Sequence, residues 1–169
     1  QGYVSFEVSP TLAHDAAGTT AAAVRLWQTI NRPNAMIKIP ATDAGCQAIT
    51  DVIAQGINVN VTLIFSLEQL EAVQAAHEAG LRRWVAHCQQ LGTPERIGDV
   101  ASVASFFVSR TDNTLDSKLP EGLQGKTAIA LCKTAYQRWL DAQAGPQTDL
   151  KAAGAKPQWL LWASTSVKN

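Results

Sequence analysis

An excess of charge of either sign is what this sequence most plainly lacks: 14 Lys and Arg stand against 14 Asp and Glu, a formal net charge of zero. No Lys/Arg run breaks that balance, so the electrostatic footprint of a nucleic-acid binder is missing and no nucleic-acid partner is expected. No apolar stretch approaches the length of a bilayer span, so no membrane partner is expected. Cysteine is sparse: Cys46, Cys88 and Cys132 are an odd number, widely separated, with no C-x-x-C pair. That pattern excludes a disulfide framework and points to a reducing compartment. His14, His77 and His87 lack ligand spacing as well, and no metal site is expected. Gln1-Gly2-Tyr3 leads straight into a strand pattern, without the apolar region of a secretory signal. A cytoplasmic location is the expectation these absences support.

What is present is a globular composition, with 46% hydrophobic residues in 169, enough for one domain with a core. Strand-like runs occur over residues 3–8, 35–39, 57–65, 100–108 and 159–163. Between them lie stretches at helical spacing. Residues 20–30 carry Val24, Trp27 and Ile30 on one side, and residues 44–54 carry Ile49, Val52 and Ile53. Ser66-Leu67-Glu68-Gln69 reads as a capping box opening a long helix to about Gln90. Residues 127–140 place Leu131, Ala135 and Trp139 on a stripe. Gly98, Gly122 and Gly125 mark joins, and Pro146 and Pro157 mark a final connection.

Strand, helix, strand, helix predicts parallel strands with crossover helices, an α/β fold. In a doubly wound sheet or a barrel alike, a parallel strand buried on both faces is expected to read as a nearly continuous apolar run. These alternate instead. Val4, Phe6 and Val8 share one parity, and Ser5, Glu7 and Ser9 the other. Ile37 and Ile39 alternate with Met36 and Lys38; Ile57, Val59, Val61 and Leu63 alternate with Asn58, Asn60 and Thr62. One face therefore meets helices while the other carries polar groups, which fits a barrel with a polar interior opening at the strands' C-terminal ends. A complete (β/α)₈ TIM barrel needs about 250 residues. Residues 1–169 are thus expected to form a single incomplete barrel domain of about five parallel strands, an internal fragment that does not work alone.

Lys38, mid-strand among aliphatic residues, is the first candidate for chemistry. A desolvated lysine favours the neutral amine, which is the nucleophile that a Schiff base requires. Glu7 is expected at the matching height on the neighbouring strand, either as a proton shuttle acting through water or as the ion-pair partner of Lys38. Asn58, Asn60 and Thr62 form a polar ladder able to orient a polyol, or to satisfy itself in the core. Ser105 shares parity with Val103 and Phe107 and should face inward. Arg110 and the run Ser164, Thr165, Ser166 and Lys168 lie at strand C-terminal ends, where barrel loops bind phosphate. His14 and Asp15 follow the first strand at the same rim, as loop caps or substrate contacts.

These segments together resemble the transaldolase family across nearly the whole chain. The resemblance rests on Val4-Ser5-Phe6-Glu7-Val8-Ser9, on Met36-Ile37-Lys38-Ile39-Pro40-Ala41-Thr42 and on Gly56-Ile57-Asn58-Val59-Asn60-Val61-Thr62-Leu63-Ile64-Phe65-Ser66. Ala104-Ser105-Phe106-Phe107-Val108-Ser109-Arg110 and Trp162-Ala163-Ser164-Thr165-Ser166 extend it. It implies that the strands are numbers 3–7 of the barrel, without strands 1–2 and the C-terminal strand. It implies a transferase that passes a dihydroxyacetone unit from sedoheptulose 7-phosphate to glyceraldehyde 3-phosphate, giving erythrose 4-phosphate and fructose 6-phosphate, in the pentose phosphate pathway and without cofactor or metal. Lys38 is then the Schiff-base lysine, Glu7 the acid/base working through water, and Thr62 a holder of that water. Asn60 and Ser105 are implied to bind the dihydroxyacetone hydroxyls, and Arg110 and Ser164 the phosphate. Short transaldolases carry an arginine where Ser166 stands; Lys168 is expected to supply that charge, as in the longer bacterial subgroup. The family's Asp on strand one and Asn on strand two fall outside this sequence. The alternatives are a fructose 6-phosphate aldolase, which the long segment over residues 67–99 disfavours, and an inactive sugar-phosphate-binding fragment.

Overall fold

The computed structural model describes residues 2–145 and 147–166. Strands β1 (Val4–Glu7), β2 (Ala35–Pro40), β3 (Val59–Ile64), β4 (Ser102–Phe107) and β5 (Gln158–Ala163) form one sheet. Every neighbouring pair is parallel and the spatial order is the chain order. A doubly wound sheet reverses direction at a switch point; this one adds each strand on the same side, as a barrel does. The architecture is α/β, five strands of a (β/α) barrel.

The crossovers are α1 (Ala16–Ile30), α2 (Asp43–Ile53), α3 (Leu67–Gln90), and a divided segment with α4 (Ser109–Leu115), α5 (Thr127–Ala144) and α6 (Thr148–Ala152). Capping chemistry sets the starts of α1, α2 and α3. Asp15 Oδ1 accepts from Gly18 N at 2.9 Å, so α1 begins four residues before its apolar stripe suggests. Thr42 Oγ1 accepts from Gly45 N at 2.9 Å and opens α2. Glycine is required at position 45, since a Cβ there would lie 2.0 Å from the Pro40 carbonyl oxygen at the end of the Lys38 strand. Ser66 caps α3 as expected, accepting from Gln69 N at 3.2 Å. The return arm differs from a standard capping box: Gln69 Oε1 accepts from Phe65 N, one residue upstream of the cap. Helices α4 and α6 were not foreseen, because seven and five residues are too few to show a periodic stripe.

Period-two alternation puts Ile37, Ile39, Val59, Val61, Ala104 and Phe106 on one face of the sheet, all buried against the helix layer. Ile49, Val52 and Ile53 of α2 and Leu70, Val73 and Leu81 of α3 meet them there. Each of these Val, Ile, Leu and Phe side chains contributes about 1.5–3 kcal/mol on burial. Leu63 departs from the expected parity. Its φ is +62°, and the register with β4 shifts between Val61 and Ile64, a β-bulge. The extra residue hands the buried position to Ile64 and leaves Leu63 partly exposed.

His77 of α3 is buried, with Nδ1 lacking a hydrogen-bond partner among the described residues. Burial lowers its pKa from 6.5 to about 4. Above pH 6.5 the ring is neutral folded or unfolded and adds no pH dependence. Below that, the unfolded chain takes up the proton and the folded one does not until about pH 4. Stability therefore falls through that window, by up to about 3 kcal/mol. His77→Leu should be at least as stable at pH 7, having removed an unsatisfied buried polar atom, and should lose less stability at pH 5. Denaturant midpoints of both proteins at the two pH values check this; an unchanged acid slope would count against it.

The two edge strands are apolar where they meet solvent. Val4 is 56% and Phe6 44% exposed on β1, and Trp159 is 56% exposed on β5. Phe6 is in register with Ile37, which is fully buried. Between α5 and β5 runs a groove of about 470 Å³ lined by Val108, Ile129, Cys132, Tyr136 and Trp162. Unpaired edges beside apolar side chains promote association. Residues 1–169 expressed alone should therefore self-associate or bind a hydrophobic dye, as read by size-exclusion chromatography. A dilute, cooperatively unfolding monomer would contradict this.

Candidate active site

The face of the sheet opposite the helices carries the polar set. Glu7 is in register with Lys38, and Lys38 with Asn60, so three neighbouring strands present them side by side. Lys38 Nζ donates to Glu7 Oε2 at 3.1 Å. The side chains are 31% and 48% exposed. Lys38 is thus half-buried, not enclosed as its sequence neighbours suggest. Ile37 and Ile39 point to the opposite face, so they cannot surround it. A pair this exposed contributes at most about 1 kcal/mol to stability. Its consequence is placement: an amine and a carboxylate lie within hydrogen-bond distance.

The polar ladder of β3 divides. Asn58 is consumed by structure, since Nδ2 donates to Pro33 O and Ala35 O and Oδ1 accepts from Ala101 N. Asn60 turns to side chains instead. Ser105 Oγ donates to Asn60 Oδ1 at 2.8 Å, and Asn60 Nδ2 donates to Ser5 Oγ at 2.9 Å. Thr62 is buried, and its Oγ1 has no hydrogen-bond partner among the described residues. The left-handed Leu63 follows immediately, which places backbone strain beside a hydroxyl that lacks a protein partner.

At the C-terminal ends of β4 and β5, the Arg110 guanidinium lies 5.1 Å over the Phe107 ring, and Phe65 meets the same ring at 5.0 Å. Arg110 is exposed and has no carboxylate partner among the described residues. Ser164 has φ +53°. Its carbonyl accepts from Ser109 N at 2.8 Å, and the Ser109 and Ser164 hydroxyl oxygens are 3.0 Å apart. Lys168 lies outside the described residues. Asp15 caps α1, and His14 is exposed beside it.

Burial pushes the thiols of Cys46, Cys88 and Cys132 above their ordinary value, with nearby carboxylates adding to the effect. None is poised as a thiolate. Lys38, with the Glu7 carboxylate beside it, remains the candidate nucleophile, since an amine in that setting can form an imine with a carbonyl compound. Ser5, Phe107 and Ser109 enter the site without having been singled out in the sequence. Ser5 and Phe107 left a signal, since Ser5 shares parity with Glu7 and Phe107 with Ser105.

Over residues 1–169 the sequence matches the family described as Transaldolase/Fructose-6-phosphate aldolase. It is 48% identical over 169 residues to a transaldolase of Neisseria gonorrhoeae, covering 99% of this chain and 46% of that protein. A transaldolase of Parafrankia sp. is 49% identical over 176 residues, with 99% and 46% covered. One from Thiobacillus denitrificans is 45% identical over 176 residues, with 99% and 47% covered. The chain spans about half the length of the curated relatives it matches.

Proposed function

The chain belongs to the transaldolase/fructose-6-phosphate aldolase family, and on that premise we propose that the protein it comes from is a transaldolase of pentose phosphate metabolism in the cytoplasm. It carries a dihydroxyacetone unit from sedoheptulose 7-phosphate to glyceraldehyde 3-phosphate, releasing erythrose 4-phosphate and forming fructose 6-phosphate. The observation that carries the reading is the 3.1 Å contact of Lys38 Nζ with Glu7 Oε2 on the polar face. The Lys38 amine attacks the ketose carbonyl carbon, and loss of water gives the imine. The bond between the transferred unit and the aldehyde product then breaks. Its electrons are taken up by the imine, and the hydroxyl proton passes to Glu7 through a water that Thr62 holds. The resulting enamine attacks the acceptor aldehyde, the proton returns, and hydrolysis frees Lys38. Asn60 and Ser105 hold the hydroxyls of the three-carbon unit, and Arg110, Ser164 and Lys168 hold the phosphate.

Borohydride reduction of the complete protein with fructose 6-phosphate should leave a three-carbon adduct on Lys38. Product analysis should show the unit on an added aldose. An adduct on Lys126 or Lys133 would overturn the assignment. Release of free dihydroxyacetone without transfer would make the protein an aldolase.

Arg110 carries a prediction of its own. A charge-assisted phosphate contact contributes about 1.5–3 kcal/mol, so Arg110→Ala should cut kcat/KM about tenfold to a hundredfold, mostly through KM. Steady-state kinetics with phosphorylated and unphosphorylated donors check this. Equal losses with both kinds of donor would remove Arg110 from the phosphate site.

A further inference from the structure

Ser5 makes one side-chain hydrogen bond among the described residues, and it is to Asn60. The two lie on strands that are not neighbours, with β2 between them. Asn60 therefore reaches over the strand that carries Lys38, whose register partner it is. Its amide is held at both ends, by Ser105 on the oxygen and by Ser5 on the nitrogen. An amide has two N–H groups and two lone pairs. With one of each occupied, one N–H and one lone pair remain for a ligand, and both point in a direction set by the two serines. Asn60 is only 8% exposed, so it has little room to turn while both bonds hold. Without Ser5, one end of the amide is released on the side nearest Glu7.

We infer that Ser5 is a positioning residue: it fixes the Asn60 amide in the orientation that receives a hydroxyl of the three-carbon unit beside Lys38. This rests on the function proposed above. Ser5 itself moves no proton and forms no bond to the substrate. Its contribution is the same in the ground state and the transition state, so its loss should show in KM and not in kcat.

The test uses the complete protein and four variants: Ser5→Ala, Ser5→Thr, Asn60→Ala, and Ser5→Ala with Asn60→Ala. Ser5→Ala should raise KM for fructose 6-phosphate about five- to tenfold, with kcat changed less than about twofold. Ser5→Thr keeps a hydroxyl and should return KM close to the original. In the Asn60→Ala background, adding Ser5→Ala should change nothing further, the mark of two residues acting as one unit. Thermal midpoints recorded on all variants separate positioning from support of the edge strand. A drop in midpoint for Ser5→Ala that accounts for its lost activity, with no rescue by threonine, overturns the inference. So does an additive effect in the double variant. An adduct trapped on Lys38 together with an unchanged KM in Ser5→Ala overturns the role of Ser5 alone. No adduct in the unsubstituted protein overturns the proposed function and this inference with it.

Discussion

Lys38→Met in the complete protein should abolish the borohydride-trapped adduct and lower turnover by more than about 10³-fold, the scale of loss when a covalent nucleophile is removed. Methionine keeps the unbranched, apolar stem of lysine and removes only the amine. The variant leaves Glu7 without its ion-pair partner. Since Glu7 is 48% exposed, water can solvate it, and the stability cost is at most about 1 kcal/mol. The loss of turnover should therefore come with a nearly unchanged unfolding midpoint, which separates chemistry from misfolding. The measurement is single-turnover trapping with mass analysis, beside a thermal melt. Turnover within tenfold of the parent protein would show that the imine, if one forms, sits elsewhere.

Glu7→Gln should be the second most damaging change. Glutamine can still accept a hydrogen bond from Lys38 Nζ at the place where Glu7 Oε2 now sits, 3.1 Å away, so the lysine keeps its neighbour. It cannot carry a proton. General acid–base catalysis by one positioned group contributes typically 10²–10⁴-fold. A fall in kcat of about that size is expected, with KM changed far less. The two readings of the contact diverge here. If Glu7 served only as an electrostatic partner, the change would touch stability and leave kcat within a few-fold. Steady-state kinetics and a trapped-adduct time course decide it: slow adduct formation with very low turnover supports the shuttle, and near-normal kcat removes Glu7 from the chemistry.

Much of the fold was legible because its signals are local. The alternation in Val4-Ser5-Phe6-Glu7-Val8 and in Ile37-Lys38-Ile39 follows from the two-residue period of an extended chain, so it declared which side chains share a face before any neighbour was known. The same period placed Glu7, Lys38, Asn60 and Ser105 on one side, and the structure joins them by register and hydrogen bonds. The start of α3 was legible for a similar reason, since Ser66 and Gln69 cap within one turn.

What the sequence could not determine depends on residues far apart in the chain. Asn58 and Asn60 look equivalent in Gly56-Ile57-Asn58-Val59-Asn60. Only the position of Ala35, Pro33 and Ala101 shows that the first is spent on backbone, while Ser5 and Ser105 show that the second is not. The exposure of Lys38 was misjudged by reading its aliphatic neighbours as its surroundings, although a pleated strand sends them to the other face. The bulge at Leu63 shows only once β4 is aligned beside β3 and the register between Val61 and Ile64 fails to match. Periodicity is a property of the chain by itself. The pairing of polar groups and the depth of a side chain belong to whichever strands lie alongside, and only the assembled sheet supplies those.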